Sequence, residues 1–424
     1  MRLDHLHIQN FRCYEDATFD FQPGFNLVVG VNGSGKTSLL QAVSSSVASF
    51  FIATGRGSSL LSTDEQVRFV IDKYEGRIRF ERRYPLVLKA KGDAFGISTW
   101  GITKDRKEGL PPSDSAAYTA INETMLALDS GAIVDLPVVA FFRANRRWLA
   151  SQVSTEFAAT QKSSRLDGYS SWFDASTDLK DFESWFIGKT LERLERLAES
   201  KTPIEDFSDE LAWVNAAISL ALPEAKGFRY DLKLRNLMVD LSLDKSLPFN
   251  DLSDGQRGMV ALIADIARRM CLLNPHMGRE VLAKTSGLII IDELDIHLHP
   301  TWQRSIVSAL KTAFPSVQFI AASHSPQIIG SLQAEEVIVL NNGDSSHPRV
   351  TYGLDSSSVL EEVMNVAQRE PEIEALLTEL FSTLEDNDLK SAKKKLEELK
   401  KLAPDLPEFA GAEALIRRKE ILGK

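Results

Sequence analysis

Apolar residues in the first part of the chain recur at two spacings, which predict a mixture of strands and helices. Residues 25–29 form a short apolar run, and residues 38–51 follow with the length and apolar content of a buried helix. From about residue 66 to 103, charged and apolar residues alternate with the period of two that is typical of antiparallel strands. Residues 136–142 are almost wholly apolar, which predicts a central strand covered on both faces.

The pattern then changes twice. From about 150 to 225, aromatic residues at helical spacing predict a helical insertion that is too short for a long coiled-coil arm. Strand, helix and strand then alternate up to about residue 340, which predicts a mixed or parallel α/β sheet. Beyond about residue 355 the chain is predicted to be helical, with an amphipathic helix over 389–399. The expected units are residues 1–150, 151–225, 226–350 and 351–424.

Composition excludes some classes of protein. The 424 residues carry a formal net charge of −10, so any nucleic-acid contact must be confined to a local patch. Two cysteines imply no disulfide framework and fit a reducing compartment. The first residues lack the apolar core of a signal peptide, and no apolar run reaches the roughly 20 residues that span a bilayer. We therefore expect a cytoplasmic protein.

Residues 30–37 carry the most specific chemical signal. They fit the pattern G-x-x-x-x-G-K-[ST] and lie between an apolar strand and a helix, the context that a phosphate-binding loop requires. The glycines let backbone amides turn toward a phosphate, and the helix presents its positive end to the same anion. Lys36 is expected to reach the β- and γ-phosphates of ATP, and Thr37 is expected to hold Mg²⁺.

Three further segments carry candidate chemistry. One apolar strand ends in Asp292 and Glu293, a candidate magnesium ligand and a candidate general base. Ser253 is well placed as the N-terminal cap of a helix that could face a phosphate. His324 follows another apolar strand, where a histidine can sense a γ-phosphate. Each of the three has a structural explanation when taken alone. The acidic pair could simply end a buried strand, Ser253 could simply cap a helix, and His324 could have a purely structural role.

The order of the four elements resembles Walker A, signature, Walker B and H-switch of the ABC ATPase superfamily, with a D-loop at residues 294–295. Asp254 departs from the glycine of many members, and Gln152 is a weak candidate for the Q-loop. Residues 8–14 resemble the opening of the RecF/SMC/Rad50/OLD branch, which places Arg12 either near the nucleotide or in a structural salt bridge. The resemblance implies an ATP–Mg²⁺ site built from Arg12, Asn32, Gly33, Ser34, Gly35, Lys36, Thr37, Ser38, Asp292, Glu293 and His324, with Ser253 and Gly255 supplied by a second subunit.

Within this branch, residues 136–146 and 292–303 resemble defence-type ATPases. The tail from 356 to 422 is similar to the C-terminal helices of the Septu ATPase subunit, which is also used beside retrons. The resemblance implies an ABC-ATPase head, a mixed sheet with an antiparallel β-subdomain, that carries a helical insertion and a helical tail. It also implies an ATP-bound homodimer or higher even oligomer, and an HNH endonuclease as partner.

Several alternatives stay open at the level of sequence. A DNA-repair clamp of the RecF or OLD kind would bind DNA directly, whereas a defence ATPase would meet DNA or RNA through its partner complex. The acidic cluster of an OLD-type nuclease is not found after His324, so no nuclease centre is expected in this chain. His297 and His299 fit packing or a dimer contact better than a metal. Two basic clusters, at 143–147 and 417–419, are candidates for contact with phosphate or with a partner.

Overall fold

The structure is a computed structural model. It describes residues 1–52, 64–74, 77–107, 115–146, 148, 153–175, 179–199, 208–222, 224–241, 245–341, 343–366 and 369–422. The chain forms two compact units, Met1–Ser356 and Ser357–Lys424. No helix among these ranges is long and apolar enough to cross a bilayer.

The described ranges contain the following strands and helices. The strands are β1 Arg2–Phe11, β2 Tyr14–Asp20, β3 Phe25–Gly30, β4 Phe69–Tyr74, β5 Arg77–Arg82, β6 Leu86–Ala94, β7 Ile97–Lys104, β8 Val138–Phe142, β9 Ala225–Asp231, β10 Asn236–Leu241, β11 Lys245–Pro248, β12 Gly287–Ile291, β13 Val317–Ala322, β14 Val337–Asn341 and β15 Asp344–Ser346. The helices are α1 Lys36–Ile52, α2 Ser115–Asp129, α3 Thr155–Thr160, α4 Lys180–Glu199, α5 Glu210–Ala221, α6 Asp254–Leu273, α7 Val281–Lys284, α8 Pro300–Ala313, α9 Pro326–Ile329, α10 Ser356–Glu362, α11 Pro371–Glu385, α12 Leu389–Leu402 and α13 Glu408–Leu422.

The first unit is built on a six-stranded sheet in the order β15-β14-β3-β13-β12-β8. The five strands from β14 to β8 run parallel, and β15 pairs antiparallel with β14 at one edge. Every residue of β3, β8, β12 and β13 is buried, as expected for a parallel sheet covered on both faces. Because these strands are parallel neighbours, their carboxyl ends, and the segments that follow them, meet at one edge of the sheet.

A second, antiparallel layer has the strand order β2-β1-β6-β7 and is joined by the separate hairpin β4–β5. The antiparallel strands predicted between residues 66 and 103 are therefore confirmed. Helix α1 contacts strands of both layers, and its residues 42–51 are all buried. A helix covered on all sides needs no polar stripe, which accounts for the apolar and small residues throughout its length. The mixed sheet with an antiparallel subdomain is thus the observed architecture.

Helix α6 starts where the sequence predicted a cap. The Ser253 side chain accepts a hydrogen bond from the backbone N–H of Gln256, and the Gln256 side chain reaches back to the Ser253 amide. This reciprocal capping satisfies two amides at the start of the helix. Further along α6, Asp265 is buried between the guanidinium groups of Arg268 and Arg269, which both donate to it. Asp265 neutralises one of the two guanidinium charges and orients Arg269.

Arg269 ties α6 to the helical insertion. Its Nη1 donates to the carbonyl oxygens of Gly168 and Ser170, at 3.0 Å and 2.8 Å. Gly168 packs so closely that a Cβ there would lie 2.5 Å from the Leu273 side chain. The insertion is therefore held against α6 by backbone hydrogen bonds as well as by packing.

The second unit has an apolar core of its own, formed by three helices. Its buried residues are Leu377, Leu380, Leu384, Ala392, Leu396, Leu399, Phe409, Ala412 and Ile416. The amphipathic helix predicted over 389–399 is confirmed as α12, and its cap is Asp388, whose side chain accepts from the Ser391 amide.

This cap gives a test of local stability. We expect Asp388→Ala to lower the stability of the second unit by about 1 kcal/mol, because one amide of the first turn of α12 loses its acceptor. Hydrogen exchange of residues 389–402 measures the change. Asp386→Ala is the matched control, since Asp386 ends α11, where a carboxylate faces the negative end of the helix dipole. Equal protection in wild type and Asp388→Ala would contradict the assignment.

Candidate nucleotide site

The loop after β3 has a shape that only glycine permits at three positions. Gly33 and Gly35 have φ values of +83° and +106°, in the left-handed region that favours glycine. A Cβ on Gly30 would lie 2.6 Å from the Leu340 carbonyl oxygen, and one on Gly35 would lie 2.7 Å from the Tyr14 hydroxyl. The phosphate-binding pattern fixes two of these glycines, and the structure shows the steric reason for each.

Lys36 is held beneath this loop. Its side chain is 8% exposed, and Nζ donates to the carbonyl oxygens of Gly30 at 2.9 Å and Val31 at 3.0 Å. Burial lowers the pKa of Lys36, and the negative charges of Asp292 and Glu293 oppose that change. A buried ammonium group bonded to neutral carbonyls is stabilised by an anion. The loop and its lysine therefore fit a phosphate group.

Thr37 and Asp292 form the second part of the site. The Thr37 hydroxyl donates to the Asp292 carboxylate, at 3.1 Å to Oδ2. Burial raises the pKa of Asp292, and the hydrogen bond from Thr37 opposes that shift. A divalent cation would supply the positive charge that balances this buried carboxylate. Mg²⁺ takes few protein oxygens when phosphates complete its coordination, so the hydroxyl and carboxylate fit it.

Glu293 follows Asp292 at the turn that ends β12. Its side chain is exposed, and its backbone has a φ of +49°, which is uncommon for a residue with a side chain. The preceding residue is fixed to the sheet, since the Asp292 amide donates to the Phe142 carbonyl oxygen at 2.8 Å. The turn therefore directs one carboxylate inward and the next toward solvent.

Arg146 holds this turn, a role that the sequence did not indicate. Its Nη1 donates to the Asp292 carbonyl oxygen at 2.6 Å, and its Nη2 donates to the Glu293 carbonyl oxygen at 2.7 Å. Burial lowers the pKa of Arg146 to about 10, so the group stays charged at neutral pH. The basic cluster 143–147 was a candidate for phosphate or partner contact, whereas Arg146 here binds backbone carbonyls. Arg147 lies outside the described residues.

Asp295 links the D-loop to the segment of His324. Its Oδ1 accepts from the Ser323 hydroxyl at 2.6 Å and from the His324 amide at 3.2 Å. Burial, together with the charge of Lys36, lowers the pKa of His324 below its ordinary 6.5. The His324 ring is therefore neutral at pH 7 and can accept or donate a hydrogen bond beside Lys36.

The structure places Arg12 beside the loop as well. The turn between β1 and β2 carries Arg12 and Cys13, and a Cβ on Gly35 would lie 3.0 Å from the Cys13 sulfur. Burial lowers the pKa of Arg12, and the nearby charge of Arg143 adds to this shift. The other predicted loop residues differ in exposure: Asn32 and Gly33 are exposed, Ser38 is half-buried and Ser34 is buried.

Ser253 and Gly255 lie in a different setting. Gly255 packs against residues that follow the acidic pair, because a Cβ there would lie 2.3 Å from the His297 carbonyl oxygen. Ser253 is exposed, and it hydrogen-bonds with Gln256 in its own turn. The loop, Asp292, Glu293 and His324 thus converge at one sheet edge, while the side-chain hydrogen bonds of Ser253 stay within its own turn. Gln152, the weak Q-loop candidate, lies outside the described residues.

The two histidines after the acidic pair have structural surroundings. His299 caps α8, with Nδ1 accepting from the Thr301 amide at 3.3 Å, and Pro300 occupies the first helical position. The His297 carbonyl contacts the start of α6, as described for Gly255. Among the described residues, no group of three or more His, Cys, Asp or Glu side chains lies in position to hold a metal ion.

Comparisons with known proteins find AAA-domain models and defence ATPases that resemble this chain. A model described as an AAA domain matches residues 5–212, and one described as an AAA domain, putative AbiEii toxin, Type IV TA system, matches residues 156–330. The chain is 29% identical to the Retron Ec83 probable ATPase of Escherichia coli, over 88% of this chain and 78% of the relative. It is 23% identical to the Septu protein PtuA of Bacillus thuringiensis, over 91% of this chain and 90% of that protein.

Among solved structures, the SMC head domain from Thermotoga maritima is 14% identical, with a TM-score of 0.37, and the alignment covers 82% of this chain and 98% of that one. Local similarity extends to DNA replication and repair protein RecF of Cronobacter sakazakii, which is 35% identical over 108 residues. The two AAA-domain models together span the loop, both carboxylates and His324. These similarities support an ABC-type ATPase of the RecF/SMC/OLD branch.

Proposed function

We propose that this protein binds ATP with Mg²⁺, hydrolyses it in a two-fold dimer, and thereby controls a partner nuclease in anti-phage defence. The observation that carries the catalytic part is the convergence of a buried lysine, a Thr37–Asp292 pair and a restrained Glu293 at one sheet edge. An amine, a magnesium-binding pair and a candidate base are the parts that phosphoryl transfer to water requires.

Each side chain then has a distinct task. Lys36 binds the β- and γ-phosphate oxygens, while Thr37 and Asp292 hold the metal. Glu293, whose side chain is exposed to solvent, orients water and takes up its proton. Bound ATP–Mg²⁺ supplies a phosphoanhydride whose γ-phosphoryl group can pass to that water. His324, neutral and close to Lys36, donates to the phosphate.

The dimer is proposed because the cap of α6 suits a phosphate group that a second chain would supply. The exposed cap of α6 offers the Ser253 hydroxyl and the first amides of a helix, a suitable anion site. Its side-chain hydrogen bonds in the described part of the chain stay within its own turn and leave the phosphate loop without a contact from Ser253. A head-to-tail pair places each cap over the ATP of the other chain, giving two composite sites in a closed assembly.

The defence role is proposed from the relatives. The chain aligns over most of its length with a retron ATPase and with Septu protein PtuA. Following the resemblance of the tail and of residues 292–303 to Septu-type ATPases, the partner is an HNH endonuclease. ATP-bound dimers hold this nuclease idle, and loss of nucleotide during infection releases it.

Reconstitution tests the control step. We expect the complex of the chain with its nuclease partner to leave DNA intact at cellular ATP concentrations and to cut it once ATP is removed enzymatically. Lys36→Ala should make the complex cut DNA at any ATP concentration, because its phosphate loop no longer retains nucleotide. Lys284→Ala, at an exposed lysine that pairs with Glu280, is the matched control. A nuclease that is equally active with and without ATP would end the proposal.

A second candidate function is direct DNA binding in the manner of a repair clamp, and one surface favours it. On the hairpin β4–β5, Phe69 and Phe80 are stacked, with ring centroids 5.6 Å apart, and both are about half exposed or more. Arg82 lies over the Phe69 ring at 5.4 Å. Exposed aromatic rings beside guanidinium groups suit stacking on single-stranded DNA. Salt-dependent oligonucleotide binding by the isolated chain, lost in Phe80→Ser, would favour this candidate.

A further inference from the structure

A cavity of about 370 Å³ lies next to the acidic turn, on the side of α6. Its floor is the first half of α6, and its roof is the segment that follows Glu293, together with one residue of α8. The apolar wall consists of Met259, Leu262, Leu294, Ile296, Leu298 and Ile306. A volume of this size with apolar walls is typical of sites for small organic ligands.

One polar group of the wall has an unused hydrogen-bonding capacity. The Trp148 side chain is 5% exposed, and its Nε1 has no acceptor within hydrogen-bond distance among the described residues. A Cβ on Gly258 would lie 3.8 Å from Trp148 Cδ1, the carbon bonded to that nitrogen, so this edge of the indole faces the cavity floor. A buried donor without an acceptor is costly and uncommon, and an occupant with an acceptor oxygen would satisfy it.

The charged groups of the wall favour the same kind of occupant. Arg146 and Arg257 both line the cavity. Asp254 lines it too, and its carboxylate already accepts from Arg257, whose Nη1 also donates to the Asn250 carbonyl oxygen. Among the lining residues, two arginines stand beside one carboxylate, Asp254, which is already paired. The carboxylates of Asp292, Glu293 and Asp295 act on Arg146 from outside the lining. The walls therefore select an apolar body that carries an oxygen acceptor with negative charge.

We propose that this cavity is a regulatory site for a small apolar carboxylate, and that its occupation slows ATP turnover by drawing Arg146 away from the Walker B turn. Arg146 is shared, since it lines the cavity and donates to the Asp292 and Glu293 carbonyl oxygens. A carboxylate in the cavity competes with those two neutral carbonyls for the same guanidinium group. A guanidinium binds a carboxylate, often through two parallel hydrogen bonds, more strongly than it binds a neutral carbonyl, so the anion gains what the turn loses. The predicted effect on ATP turnover rests on the proposed ATPase function, whereas the predicted binding does not.

The test uses 2-naphthoate as probe, with 2-naphthylmethylamine as a cation of similar shape. Calorimetry measures binding to the full chain, and hydrogen exchange of residues 254–262 and 293–298 locates it. Gly258→Leu fills the cavity from a helical position where a side chain is tolerated. Gly411→Leu is its control, because Gly411 lies in α13, with nothing within 4 Å of an added Cβ. Trp148→Phe removes the N–H and keeps most of the ring.

We expect the wild type and Gly411→Leu to bind 2-naphthoate with a Kd of about 1 mM or tighter, within the range for a ligand of this size. Gly258→Leu should not bind it, Trp148→Phe should bind it more weakly, and the cation should not bind. Saturating probe should lower the kcat of the wild type by about tenfold or more, and leave that of Gly258→Leu unchanged.

Two results would overturn the inference. One is 2-naphthoate binding that is equal in wild type and Gly258→Leu, or that protects residues outside the two segments. The other is binding at the cavity without any change in kcat. Because binding is measured without turnover, failure of the ATPase proposal would be recognised separately, by the absence of phosphate release in the untreated wild type.

Discussion

Glu293→Gln is expected to lower the rate of phosphate release by about 10²–10⁴-fold while ATP still binds, since an amide cannot accept the proton of the attacking water. Glu293 is the exposed carboxylate of the acidic pair, whereas Asp292 is buried against Thr37. The change should therefore leave the metal-binding pair intact. Single-turnover phosphate release and retention of labelled ATP on the purified protein measure the two halves of the prediction.

The matched control is Glu280→Gln. Glu280 is an exposed carboxylate of the same unit, and its partner is Lys284. Its removal should leave turnover within about twofold of the wild type, as surface substitutions usually perturb little. If Glu293→Gln releases phosphate as fast as this control, Glu293 is not the base.

Arg146→Ala is expected to reduce kcat by about 10²-fold with little change in KM. The guanidinium group bridges the carbonyl oxygens of Asp292 and Glu293, so its loss lets the Glu293 turn relax by a fraction of an ångström to an ångström, which is sufficient for a loss of this size. Arg146→Lys should restore only part of the rate. A lysine has one nitrogen in place of the planar fork, so it cannot hold both carbonyls in the same geometry.

Arg165 offers a control that matches the chemistry. It also donates to two backbone carbonyl oxygens, those of Leu273 and Val134, but away from the nucleotide site. Arg165→Ala should lower stability about as much as Arg146→Ala and leave kcat nearly unchanged. Equal losses of kcat in the two variants would mean that Arg146 acts through global stability and not by positioning Glu293.

Local sequence patterns predicted the elements of the site well. The buried strands β3, β12 and β13 are mostly apolar, and each is followed by a polar segment with its own chemistry. The Ser253 cap needs only four consecutive residues, so it too was predictable. Such features depend on spacing along the chain, which a single sequence contains.

The sequence did not reveal contacts between distant segments. Arg146 reaches the turn at Asp292 from 146 residues away, and Asp295 reaches His324 from 29 residues away. Nothing in the sequence around Arg146 distinguishes a guanidinium group bound to carbonyls from one exposed to solvent, and the spacing of Asp295 likewise does not indicate its partner. The cavity beside Trp148 is equally invisible, because its walls come from three separate segments. These features depend on which distant segments come into contact in the folded chain.

The central claim is that two chains share each ATP, and mixing two inactive variants tests it most directly. Lys36→Ala lacks a working phosphate loop and keeps its cap, whereas Ser253→Arg blocks the cap and keeps its loop. Alone, each homodimer has no intact composite site. After mixing and random exchange, half of the dimers are heterodimers with one intact site each, so ATP turnover should return to about a quarter of the wild-type rate. A mixture as inactive as its components, or Ser253→Arg that is fully active alone, would contradict the shared site.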